Sequence, residues 1–193
     1  MFRTLYAWTL SLAGHRHAER WLAAISFIES SVFPIPPDVV LMPMCIARRD
    51  KALRYGAMAT AASVLGAFLG YAIGALAYQA IAVPIIDIYG LESEFAAVQA
   101  RFNADGVWWV IIAGFTPLPF KVITIASGVT AMPLLPFFIA SVIGRSGRFF
   151  LVAGLFWWFG APIKAFIDKW LDWLAVGFTL LLVGGFIAVK YLL

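Results

Sequence analysis

Residues 21–47 are apolar enough to enter a membrane, yet they cannot pass through it as one helix. Three prolines, Pro34, Pro36 and Pro37, fall within four residues. Proline removes a backbone donor, clashes with the preceding turn and drives the residue before it toward extended backbone. A break is therefore predicted between apolar arms 21–33 and 39–47, each shorter than the about 20 residues that a helical crossing needs. A carboxylate flanks the prolines on either side, Glu29 and Asp38. The pattern recurs in Gly114-Phe115-Thr116-Pro117-Leu118-Pro119-Phe120-Lys121, between apolar arms 107–116 and 120–132. The first copy carries acids and the second a base. Paired, proline-interrupted segments in corresponding halves of a chain point to inverted repeats around a site near the bilayer midplane.

Composition sets the solvent. Of 193 residues, 63% are apolar and 12% charged, against about 45–50% and about 25% in soluble domains. The expectation is one all-α integral membrane domain spanning 1–193. It has inverted-repeat architecture, with two re-entrant proline-broken helical hairpins (21–47 and 107–132). Transmembrane helices are expected at 55–83, 137–159 and 173–192, an interfacial N-terminal helix at 1–20 and an amphipathic helix at 91–104. No signal peptide is evident. The single cysteine, Cys45, excludes an internal disulfide. His15 and His17 are two residues apart and do not share a helix face, so no metal site is expected, nor any cofactor. The net charge of +4 does not argue for nucleic acid, because the bases collect at segment ends.

Those bases set the orientation. Arg48, Arg49, Lys51 and Arg54 mark a cytoplasmic loop. With a re-entrant first hairpin the N-terminus lies on the same side, the acidic 84–105 stretch lies outside, and the second hairpin enters from there. Gly66, Gly70 and Gly74 form a small-residue ridge on the first full span. Such a ridge lets another helix come close, either the chain's own hairpin or a second copy in a homo-oligomer.

Five charges fall within the apolar segments: Glu29, Asp38, Lys121, Arg145 and Arg148. Each costs at least about 2.5–3.5 kcal/mol at membrane depth unless it is paired or lines a wet cavity. Arg145 and Arg148 are three residues apart on one helix, and guanidinium forks suit phosphate. The acids can bind protons or can be static partners of the arginines. Read from the residues alone, this is a charged cavity for an anion.

At these residues the chain resembles the DedA family, also called SNARE-associated or VTT-domain membrane proteins. The resemblance rests on Glu29-x-x-x-x-Pro34-x-Pro36-x-Asp38, on Phe115-Thr116-Pro117 with Lys121 and Ala126-Ser127-Gly128-Val129, and on Gly144-Arg145. It covers most of the chain and is nearest to a short-chain subgroup. Two departures stand out: many members carry arginine where this chain has Gly114 and again where it has Lys121. The resemblance implies a flippase or scramblase in the bacterial inner membrane, moving undecaprenyl phosphate or a phospholipid with the proton gradient as a candidate drive. Glu29 and Asp38 would be the proton-linked acids, Arg145, Arg148 and Lys121 the headgroup-binding bases, and Pro34, Pro36, Pro37, Pro117 and Pro119 the hairpin tips. The rivals are a lipid-phosphate phosphatase, a proton-coupled transporter of small cations, and a scaffold in envelope homeostasis.

Overall fold

The structure, a computed structural model, describes residues 17–31, 36–116, 118–160 and 162. Among them every regular element is helical. In chain order these are α1 (Ala18–Glu29), α2 (Asp38–Ala47), α3 (Ala52–Ala77), α4 (Val83–Tyr89), α5 (Glu92–Phe115), α6 (Phe120–Val129) and α7 (Leu134–Phe159). The segments at 1–16 and 173–192 lie outside the described residues, as do the tip residues Pro34 and Pro117.

Several boundaries differ from the sequence reading: α1 ends at Glu29 rather than at 33, α6 at Val129 rather than at 132, and α7 begins at Leu134 rather than at 137. The first arm begins at Ala18, so α1 runs across the division placed at residue 20. The first long helix does not stop at 83. It passes through a wider π-helical turn at Tyr78–Ala82 into α4, and Arg49–Tyr89 reads as one rod of 41 residues. The amphipathic segment and the first arm of the second break are a single helix, the 24-residue α5. Its polar middle does not interrupt it, because Arg101 and Asp105 project outward and the helical ladder needs nothing from them.

Two helices, Arg49–Tyr89 and Leu134–Phe159, are long and apolar enough to cross a membrane. Their outer faces are the reverse of a soluble protein's. Leu65, Leu76, Ile88, Leu135 and Trp158 are all more than 60% exposed, and a continuous apolar surface of that kind belongs against lipid.

The packing is reciprocal. Along α3, Arg54 pairs with Glu19 at 2.8 Å, Gly66 meets Phe27 and Gly70 meets Ser30. So α1 runs parallel to α3, and α2 returns to the end from which α1 started. Gln99 and Asn103 of α5 donate to the Thr130 carbonyl just beyond α6, at 2.8 and 3.1 Å, so α5 and α6 likewise start and finish together. The first arm of each broken pair packs on the long helix of its own half, and the second arm packs on the long helix of the other half.

Gly66, Gly70 and Gly74 make this possible. Gly70 lies against Thr124 and Gly74 against Ile125, while Gly128 of α6 faces Tyr71. The ridge is therefore occupied within the chain. Two apolar cores lie along the bundle, one around Leu22, Leu41, Tyr55 and Phe149 and the other around Val110, Phe120 and Phe137.

The turn from α6 to α7 holds Ala131 in a left-handed conformation (φ 50°). Side chains hold it there: Gln99 and Asn103 bond to Thr130, and the Tyr71 hydroxyl donates to the Met132 carbonyl at 2.7 Å. Tyr71→Phe removes one of these bonds. The expected cost is about 1 kcal/mol, read as a melting temperature about 2–4 °C lower for a chain of this length.

Candidate functional site

A polar layer separates the two cores. On α3, Ser63 lies between Ala59 of one core and Ala67 of the other, and on α7 Arg145 lies between Phe149 and Ala140. Side chains from both helix breaks meet this layer.

Arg145 is 1% exposed. Its Nη2 donates to Glu29 Oε2 and, at 3.0 Å, to Ser30 Oγ, and its Nε donates to Ser63 Oγ. Ser63 and Ser30 share a hydrogen bond of 2.6 Å, and Ser30 reaches the Ser26 carbonyl at 3.0 Å. One assignment satisfies all of these: guanidinium to Ser63, Ser63 to Ser30, Ser30 to the carbonyl. The guanidinium carbon lies over the Phe120 ring at 4.6 Å and over the Phe149 ring at 5.0 Å, a cation–π arrangement that gains strength when dry.

The second pair is built differently. Arg148 Nη2 donates to Asp38 Oδ2, and its Nη1 donates to the Thr116 carbonyl at 2.7 Å. One side chain thus ties the start of α2 to the break before α6. The side chains of Arg148 and Asp38 keep 13% and 14% of their surface, and no aromatic ring covers either face of this guanidinium among the described contacts. Asp38 Oδ1 is buried with no hydrogen-bond partner among the described residues.

The structure thus joins four of the five membrane-depth charges named from the sequence, Glu29 with Arg145 and Asp38 with Arg148. Lys121 is half-buried in the first turn of α6. Of the described tip residues, Pro37 caps α2 and Pro119 precedes α6 in extended backbone, while the Pro36 carbonyl accepts from Val39 at 3.2 Å. Thr124 joins the two breaks directly, its hydroxyl shared between the Ser30 carbonyl at 3.1 Å and the Lys121 carbonyl at 2.9 Å.

Ser63, Phe120 and Phe149 were not singled out from the sequence. Ser63 alone left a faint signal, since it stands three residues before Gly66 on the face of α3 that packs inward. Arg49, read as an orienting charge, also caps α7, donating to the Trp157 carbonyl and, at 2.7 Å, to the Trp158 carbonyl. A cation suits that helix end.

The family model for the VTT domain matches residues 35–157. An uncharacterized protein of Haemophilus influenzae is 39% identical over 169 residues, covering 88% of this chain and 88% of its own. An uncharacterized protein of Histophilus somni is 35% identical over 190 residues, 98% of this chain and 99% of its own. No solved structure matches the chain.

Proposed function

The chain belongs to the VTT-domain family, the DedA family of membrane proteins, and from that premise we propose that it moves lipids with phosphate-bearing headgroups across the bacterial inner membrane. The observation that carries this reading is the pair of arginine–carboxylate contacts at the two helix breaks. Arg145 with Glu29 and Arg148 with Asp38 bring two exchangeable acids and two phosphate-compatible cations to one polar layer. Lys121 adds positive charge at the second break. A phosphate drawn to that field competes with a carboxylate for a guanidinium fork. An acid that takes up a proton gives up its arginine, and Asp38 Oδ1, buried with no partner among the described residues, offers the lone pair for it. Proton uptake and headgroup binding would then be linked.

The packing supports two re-entrant hairpins in an inverted repeat. Each broken pair starts and finishes at one end of the bundle, and the ends are opposite. The Arg49 cap on α7 puts the basic loop and the end of α7 at one face, which supports placing both in the cytoplasm, with the N-terminus there too.

The test is transbilayer movement in reconstituted liposomes, using fluorescent phospholipid and polyprenyl phosphate, with and without a pH gradient. Wild type should move at least one of these lipids, and Asp38→Asn should slow gradient-dependent movement by about tenfold or more, as expected when a group acting directly on the step is removed. Equal flux in both proteins would remove Asp38 from the mechanism. Phosphate release from a polyprenyl pyrophosphate by the purified protein would replace transport with hydrolysis.

A further inference from the structure

The two arginines are treated alike by the sequence and differently by the fold. Arg145 has no room for a ligand. It lies over the rings of Phe120 and Phe149, its Nε is taken by Ser63 and its Nη2 by Glu29 and Ser30, and 1% of it is exposed. Arg148 keeps 13% of its side-chain surface, and besides Asp38 its recorded partner is one backbone carbonyl.

We infer that the two pairs divide the work: Arg148 is the cation that exchanges Asp38 for the phosphate of the substrate, while Arg145 never meets substrate and is a positioning residue, clamped by Ser63, Phe120 and Phe149. This rests on the lipid-transport reading and narrows it to one arginine.

The physical reason is the difference in what release would cost. Freeing Arg148 requires a proton on Asp38 and an anion to replace it, so charge balances at each stage: the neutral acid departs and the phosphate takes its place on the fork. Freeing Arg145 would strip a cation that is 1% exposed of its carboxylate, of its bonds to Ser30 and Ser63 and of two aromatic contacts at once. What the Arg145 clamp does is join elements. Glu29 and Ser30 end α1, Ser63 is on α3 and Phe120 starts α6, so one guanidinium fixes both breaks to α7. Arg148 can therefore exchange partners against a fixed frame.

The experiment is arginine-selective labelling of the full chain with phenylglyoxal in maltoside micelles, which carry no phosphate, with each modified arginine located by mass spectrometry. Arg148 should be modified at least about tenfold faster than Arg145, which the reagent reaches only through local opening. Short-chain phosphatidate at about ten times its dissociation constant should slow Arg148 labelling by about tenfold, as mass action requires of a competing ligand. Inorganic phosphate is the parallel arm. Protection by either supports the assignment, and the stronger of the two identifies the source of the phosphate. Phe120→Ala, or Ser63→Ala should that chain not fold, should raise Arg145 labelling by several-fold without changing phosphatidate protection of Arg148, a readout that a purely structural loss would not leave intact. Equal labelling of the two arginines, or Arg148 labelling indifferent to both phosphates, overturns the inference. Lipid flux in liposomes with an unprotected Arg148 would sink this inference and spare the transport reading, whereas a protected Arg148 without flux would do the opposite.

Discussion

Glu29→Ala will remove about 3–5 kcal/mol of stability, the usual result of leaving one buried member of an ion pair without the other. In a chain of this length that is a melting temperature about 6–20 °C lower. The size follows from where Arg145 sits. The Phe120 and Phe149 rings beside it offer no ordinary acceptor, so the guanidinium donors released from Glu29 have only Ser30 and Ser63 to turn to. Glu29→Gln keeps an acceptor at the same place and should lose less than half as much. Removing both partners at once, as Glu29→Met with Arg145→Met, eliminates the unpaired charge. The double variant should then be more stable than the sum of the single losses predicts, by about 2–3 kcal/mol of coupling. Single variants that melt within a degree of wild type would show that the pair bears no weight.

The second large effect is at the glycines where α1 and α6 pack on α3. A methyl group at Gly66 would fall on the Phe27 carbonyl, at Gly74 on the Ile125 carbonyl and at Gly128 on the Tyr71 carbonyl. Each obstacle is backbone inside a helix and cannot turn aside as a side-chain tip does. Alanine gains about 1 kcal/mol over glycine in helix propensity, but a clash of this kind forces one helix off another and exceeds the about 1–3 kcal/mol of ordinary overpacking. Gly66→Ala, Gly74→Ala and Gly128→Ala should each be destabilising in thermal melts, and the last two together less than additive, since both displace α6 from α3. Gly154→Ala is the contrast. Nothing lies within 4 Å of its added Cβ, so propensity is unopposed and the sign should reverse. A stabilised Gly74→Ala would contradict the packing described.

How far the sequence foretold this depends on the range of the cause. Proline acts on its own turn, so a break between α1 and α2 and another between α5 and α6 were legible, though not the end of α1 at Glu29, and so were the acids beside the first. The apolar runs gave the long helices. The extent of α5 was not legible, because polar residues from Arg101 to Asp105 look like an interruption when their outward direction is unknown. Nor was the choice of partners. Arg145 and Arg148 carry the same group three residues apart, and only the fold places one against Phe120 and Phe149 and the other beside Asp38. Ser63 was hidden for a related reason: in a stretch of small residues a serine reads as packing until an arginine 82 positions later donates to it.

The helix that carries Asp38 is held by a different material from the rest. Where α1 and α6 touch α3, backbone rests on backbone at the glycines, a contact with almost no give. α2 packs through its own Met42, Met44 and Cys45 in a core that also holds Met58, unbranched or small side chains whose sulfur atoms tolerate a changed fit, and the helix itself contains Pro43 in place of one backbone donor. Compliance is therefore uneven across the bundle. A strain applied in the polar layer will be borne stiffly where α1 and α6 rest on α3 and yielded to by α2, which begins at the carboxylate facing Arg148.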